Sequence, residues 1–136
     1  MIPVTAAGGV LYRKIDGKVL VLLIWRREVW DLPKGKKEDE ETVEECARRE
    51  VAEEVGIDKP EVERFLTKTY HEYEQGGDHF GKTTHWFKMH TTKKTGFTPE
   101  REEGIQKVKW IELDEAKRKV GYDNLVKVLQ TLYDTI

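Results

Sequence analysis

Residues 18–26, Lys-Val-Leu-Val-Leu-Leu-Ile-Trp-Arg, carry an apolar side chain at nearly every position. Successive side chains of a strand point to opposite faces of its sheet, so an uninterrupted apolar run reads as a strand covered on both sides. Something must pack over each face. The run is preceded by a β-branched and apolar stretch, residues 4–14, and the two are separated by Asp16-Gly17, a strong two-residue hairpin signal. The chain is therefore expected to open as a hairpin whose second strand lies inside a layered domain.

The remaining punctuation says how those layers are supplied. Residues 28–41, with Pro33 and Gly35 among many charges, read as a surface loop from which no core can be built. A helix is predicted over residues 43–55, bounded by a Thr42…Glu45 capping box and by Gly56 in the position after its C-cap. Strand-like pieces follow at about 61–73, 83–91 and 105–113, joined by the Gly76-Gly77-Asp78 turn and by a polar segment from Lys93 to Gly104. Residues 114–120 and 122–133 close the chain, and the spacing of Leu125, Val128, Leu129 and Leu132 predicts an amphipathic final helix. Strands, helix, strands, helix is the order of an α/β domain, a mixed β-sheet sandwiched between helices, organised as a single domain over residues 1–136.

Composition narrows the partners. The 136 residues include 24 basic and 26 acidic side chains, a net charge of -2, which argues against nucleic acid or an anionic membrane held by bulk electrostatics. A polyanionic ligand has to be held locally. The one cysteine, Cys46, cannot form an internal disulfide, and neither a signal peptide nor an apolar run near the ~20 residues of a membrane span is seen. A soluble cytoplasmic protein, monomeric or homodimeric, is the expectation.

The chemistry is concentrated in Arg49-Glu50-Val51-Ala52-Glu53-Glu54-Val55-Gly56. On a helix Glu50, Glu53 and Glu54 stack along one face, where like charges repel by roughly 0.2–0.5 kcal/mol per pair unless a cation offsets them. A solvated acidic face is the ordinary explanation of such a cluster. Direction argues against it: with Val43 at zero and ~100° per residue, Ala47, Val51 and Val55 fall at roughly 40°, 80° and 120°, while Glu50 and Glu54 fall at roughly 340° and 20°. Carboxylates inside the apolar sector point into the body of the protein and need a partner there. Mg²⁺, a hard cation that takes a few carboxylates and keeps waters for phosphate oxygens, meets that need.

From Gly35, five residues lead to Glu41, seven more to Arg49-Glu50, and then come Val51, Glu53-Glu54, Gly56 and Ile57. This resembles the 23-residue box of the Nudix hydrolases, here Gly35 to Ile57, with every fixed position filled. The resemblance implies an α/β/α sandwich and Mg²⁺- or Mn²⁺-dependent hydrolysis of a diphosphate linkage. It further implies that Glu50 and Glu54 ligate metal, that Glu53 ligates metal or activates water, that Arg49 orients a glutamate, and that Gly35 lets the loop approach the metal. In several members the general base lies on a later loop, which makes Glu102 and Glu103 candidates, and Glu41 is read as structural. The family often has glycine where this chain has Glu40.

The preceding Trp30-Asp31-Leu32-Pro33-Lys34-Gly35 is similar to the branch that includes diadenosine polyphosphate hydrolases. Lys34, Arg26, Arg27 and Lys82 are candidate phosphate ligands, since polyphosphates favour Lys and Arg donors. Tyr73 lies sixteen residues beyond Ile57, near Tyr70, and is a candidate for stacking on a base. His85, Trp86 and Phe87 belong to a strand expected at the same cleft. The expected substrate is a small nucleotide or polyphosphate, with diadenosine polyphosphate ahead of nucleoside triphosphates, nucleotide sugars, inositol pyrophosphates and RNA 5′ ends. A non-catalytic nucleotide sensor, which commonly loses glutamates from the box, is the alternative from another class.

Overall fold

The computed structural model describes residues 1–136. The opening hairpin pairs β1 (Ile2–Ile15) with β2 (Lys18–Arg26), closing at Ile15 and Lys18 around Asp16 and Gly17, both at positive φ. Side chains along β2 alternate as an inner strand requires. Val21 and Leu23 enter one apolar cluster, Leu22 and Ile24 the other, and all four are fully buried. The first cluster is closed by α2 (Leu113–Lys119) and α3 (Asp123–Asp134), through Leu113, Ala116, Leu125, Val128, Leu129 and Leu132. The second is closed by α1 (Val43–Val55), through Cys46, Ala47, Val51 and Val55. Both faces of the sheet are thus covered by helices, as the apolar run demanded.

The sheet runs β3-β2-β1-β6-β5, with β4 added to β1 and β7 to β2. β5 (Glu61–Gln75) and β6 (Asp78–His90) form a long antiparallel hairpin, and β6 runs parallel to residues 2–11 of β1. β7 (Lys107–Glu112) lies antiparallel to β2. The sheet is therefore mixed. No helix is long and apolar enough to cross a membrane.

Helix α1 begins and ends where its sequence directs. The Thr42 hydroxyl accepts from the Glu45 amide, the Glu45 carboxylate accepts from the Thr42 amide, and Gly56 sits in the left-handed region at φ 72°. The charged stretch before it is not the coreless loop that its composition predicts. It folds into β3 (Val29–Asp31) on β2 and β4 (Lys34–Lys36) on β1, and it buries Leu32 completely and Asp31 to 3% exposure. The β2–β3 turn is made by Arg27 and Glu28 at φ 56° and 64°. No Gly or Asn marks it, so nothing in the local sequence announces a reversal there. Likewise β6 starts at Asp78 rather than near residue 83, because both glycines of the turn, Gly76 and Gly77, take positive φ and close the hairpin tightly.

Glu40 occupies a left-handed position, φ 66°. A non-glycine residue there costs roughly 1–2 kcal/mol, of which a glycine would return about half as unfolded-chain entropy. Glu40→Gly is therefore expected to stabilise the fold by about 0.5–1 kcal/mol. A higher urea midpoint with an unchanged slope is the reading that checks it.

Candidate functional site

The polar ends of these elements surround a cleft of about 380 Å³ lined by Arg26 and Arg27 of the β2–β3 corner, Lys34, Gly35 and Lys36 of β4, and Lys82 of β6. Glu38, Arg49, Glu50, Glu54, Glu103 and Ala6 complete the lining. Helix α1 supplies the inward carboxylates. Glu54 is 2% exposed, and its two oxygens face different partners: the Lys34 amide donates to Oε1 at 3.1 Å, and Arg26 Nη1 donates to Oε2 at 3.4 Å. Burial pushes the Glu54 carboxyl up to about 7, against the opposing pull of Arg26 and the Lys34 amide. Burial also raises the carboxyl of Glu50, with Arg49 opposing and Glu53 and Glu100 adding repulsion.

Arg49 organises the helix side. It donates through Nε to Glu41 at 2.6 Å and through Nη1 to Glu50 at 2.9 Å, and its Nη2 reaches the Lys36 carbonyl at 3.1 Å. These hydrogen bonds hold the Glu41 carboxyl down at about 2 and tie the loop before the helix to its middle turn. Gly35 is required by proximity: a Cβ there would overlap the Glu50 carboxylate. Its freedom is thus used to admit an acid side chain against the backbone of β4.

The structure places the remaining candidates unevenly. Glu53 does not join Glu50 and Glu54 inside the cleft; its side chain is 47% exposed and touches Arg49 at 3.4 Å. At roughly 280° on the helical wheel it lies at the rim of the inward sector, so two carboxylates rather than three point inward. Glu103 lines the cleft from a 3₁₀ turn, Arg101–Glu103, whereas Glu102 does not. Tyr73 lies outside the lining, stacked between His71 at 5.8 Å and Phe80 at 5.2 Å, with Lys82 Nζ 5.5 Å over its ring. Along β6, Lys82, Thr84 and Trp86 face the site side while His85 and Phe87 turn away, as a strand's alternation requires.

Three further residues enter that the linear motif did not single out. Asp31, which looked like part of a surface loop, is a buried carboxylate accepting from Lys34 Nζ at 3.1 Å. Lys36 adds a cation to the cleft. Glu100 is brought beside α1 because its amide donates to the Glu54 carbonyl at 3.1 Å, and burial together with Glu103 and Glu53 raises its carboxyl. The polar segment 93–104 gives little local sign of that docking; its legible clues are Phe97, packed against the α1 cluster, and fully buried Ile105.

A second cavity of about 150 Å³ adjoins the first and shares Arg27, Lys34 and Lys82 with it. Its far wall includes Trp86, Thr69, Thr84, Tyr122 and Asn124. The crowd of cations at the junction depresses Lys82: burial lowers its ammonium most, and Lys34, Lys36 and Arg26 lower it further. An anion bridging the two cavities would relieve that repulsion.

The donor set fits a hard divalent cation. Two carboxylates on adjacent turns of α1 face the β4 backbone over a glycine that leaves no space for a side chain, and Mg²⁺ takes one or two carboxylates while keeping waters. No group of three or more His, Cys, Asp or Glu side chains is gathered as a closed cage. Arginines hold the carboxylates instead, Arg49 at Glu50 and Arg26 at Glu54.

Comparison with known proteins agrees with this geometry. The NUDIX domain model matches residues 3–132. The chain belongs to the NUDIX family. MutT4 of Mycobacterium tuberculosis is 32% identical over 97% of the chain, which spans 56% of that longer protein. The crystal structure of a C. elegans Ap4A hydrolase binary complex superposes with a TM-score of 0.73 at 26% identity, covering 97% of this chain and 96% of that one. The E. coli dihydroneopterin triphosphate pyrophosphohydrolase reaches a TM-score of 0.78 at 20% identity over all of both chains, a likeness of fold. In this NUDIX domain the box therefore supplies α1, Gly35 and Lys36, while Lys34 directly precedes it and the other cations arrive from the β2–β3 corner and β6.

The buried acid has a measurable signature. A carboxyl raised from 4.5 to about 7 destabilises the fold when ionised, so metal-free stability is full below about 4.5 and falls as pH rises through about 7. In the presence of chelator at pH 8, Glu54→Gln is expected to melt several degrees above wild type, with the difference shrinking towards pH 5. Added Mg²⁺ should raise the wild-type melting temperature and leave that of the variant unchanged.

Proposed function

We propose that this NUDIX domain, residues 1–136, hydrolyses a diphosphate linkage in a nucleoside polyphosphate with Mg²⁺ or Mn²⁺, and that diadenosine polyphosphate is its leading substrate. The observation that carries the reading is the meeting, in one cleft, of two inward carboxylates on α1 with five cations from other segments, Arg26, Arg27, Lys34, Lys36 and Lys82. Carboxylates alone would serve a metal and cations alone an anion; side by side they suit a metal-complexed polyphosphate.

Glu50 and Glu54 would hold the metal, with Gly35 giving the β4 backbone access and Arg49 fixing the Glu50 carboxylate. When bound, the metal polarises a phosphoryl oxygen and lowers the pKa of water. Lys34, Arg26, Arg27 and Lys82 orient the phosphate chain between the two cavities. A rim carboxylate, Glu53 or Glu103, takes the proton of the attacking water as its oxygen bonds to phosphorus and the bridging oxygen leaves. The second cavity suits one aromatic ring, since a void near 150 Å³ holds a benzene-sized group. Tyr122, which is exposed, offers ring surface to a nucleobase there, whereas the Tyr73 ring is already stacked between His71 and Phe80. The likeness to the C. elegans Ap4A hydrolase supports a dinucleoside substrate.

Incubation with Mg²⁺ and a panel of diadenosine polyphosphates, nucleoside triphosphates, nucleotide sugars and triphosphorylated RNA, followed by chromatography, tests this directly. Diadenosine polyphosphate should be cleaved with the highest kcat/KM, and chelator should abolish turnover. Glu50→Gln and Glu54→Gln should each lower kcat by at least about 10²-fold, the scale expected when a charged group essential to the transition state is removed. Tight nucleotide binding without any cleavage would favour a sensor instead.

A further inference from the structure

Asp31 is 3% exposed, sits directly before the turn into β4, and lies next to the cleft without carrying any of the chemistry assigned above. Its carboxylate is fully engaged. Oδ1 accepts from the Leu32 amide at 2.7 Å, while Oδ2 accepts from Lys34 Nζ at 3.1 Å and lies 3.5 Å from Arg26 Nη2. Both cations are themselves largely enclosed, Arg26 with 11% and Lys34 with 21% of the side chain exposed. Long cationic side chains lose up to about 2 kcal/mol of rotamer freedom when fixed, so a pair standing ready in a cleft needs an anchor.

The anchor leaves donors to spare. Arg26 Nε is buried with no partner, and Lys34 Nζ, which has three protons, finds one carboxylate. Lys34 lines both cavities and so stands where the two meet, while Arg26 lines the larger. Arg26 also touches Glu54 through Nη1, which makes Asp31 and Glu54 the two posts between which one guanidinium is strung.

We propose that Asp31 is a positioning residue that holds Arg26 in the larger cavity and Lys34 at the junction of the two, aimed at the phosphate chain of the substrate. This rests on the phosphate-binding reading of the cleft and adds to it a residue that acts through the two cations it holds. Its consequence runs against simple electrostatics. Removing a negative charge beside an anion site should tighten anion binding, because a like charge has gone. Removing an anchor should loosen it, because the cations must then be ordered by the ligand itself.

Inorganic tripolyphosphate, titrated by calorimetry into the whole chain with chelator present, separates the two effects without turnover or metal. Wild type should bind, and Asp31→Asn, which retains an acceptor for the Leu32 amide, should bind tenfold or more weakly. Asp31→Glu keeps the charge but displaces it by one methylene, and it too should weaken binding; either variant suffices if the other fails to fold. In a double-mutant cycle the loss from Asp31→Asn should shrink in a Lys34→Ala background, since the anchor then has one cation fewer to hold. With Mg²⁺ and substrate, KM should rise while kcat changes little. Unchanged or tighter binding of tripolyphosphate by both variants, or strictly additive losses in the cycle, would overturn the proposal while leaving the cleft a phosphate site. A wild type that binds no tripolyphosphate would overturn both readings together, and binding that follows the expected pattern without substrate cleavage would leave the positioning role intact and remove the hydrolase.

Discussion

A carboxylate placed inside the apolar face of a helix is the constraint on which the site depends. Glu54 shares that face with Val51 and Val55, both fully buried, and is itself 2% exposed. Transferring an ionised carboxylate out of water without a partner is costly enough that the group would sooner stay protonated, which is the direction its acidity has moved. The protein answers with Arg26 and the Lys34 amide, neither of which belongs to the helix. The site is thus a device for keeping acid groups dry, near cations, and only partly satisfied.

That arrangement draws on the layering of the whole domain. Because β2 is covered on both faces, its end at Arg26 emerges where the α1 layer and the α2–α3 layer part. The parallel pairing of β1 with β6 then brings Lys82 alongside, paired with Val4 near the start of β1, while β4 adds Lys34 and Lys36 on the other edge of β1. Five cations converge on two acids because the β2–β3 corner, β4 and β6 meet beside α1. The two glycine requirements follow from the same crowding: Gly35 yields its side-chain volume to Glu50, and Gly56 allows α1 to stop where the 98–104 segment must dock, with Thr98 against it.

Much of this was legible one residue at a time. The hairpin at Asp16-Gly17, the ends of α1 and the inward aim of Glu50 and Glu54 all depend on interactions within a few residues, for which the sequence period is a faithful guide. The stretch 28–41 misled for a physical reason. Its charges suggested exposure, yet Asp31 and Glu54 between them pair with Lys34 and Arg26, and that mutual pairing is what allows Asp31 and Leu32 inside. Glu53 misled in the opposite sense, since helical spacing groups it with Glu50 and Glu54 but cannot say that the cleft wall ends before its sector begins.

What the chain order determines by itself is periodicity, capping and the identity of the box, because these are set by neighbours three and four positions apart. What only the folded molecule decides is which cation meets which acid. Arg26 and Glu54 are separated by 28 positions, and Glu100 reaches Glu54 across a still wider gap through backbone alone. Such pairings leave no trace in local pattern, since they are settled by strand register and helix docking, and it is those pairings that surround an acidic helix face with cations.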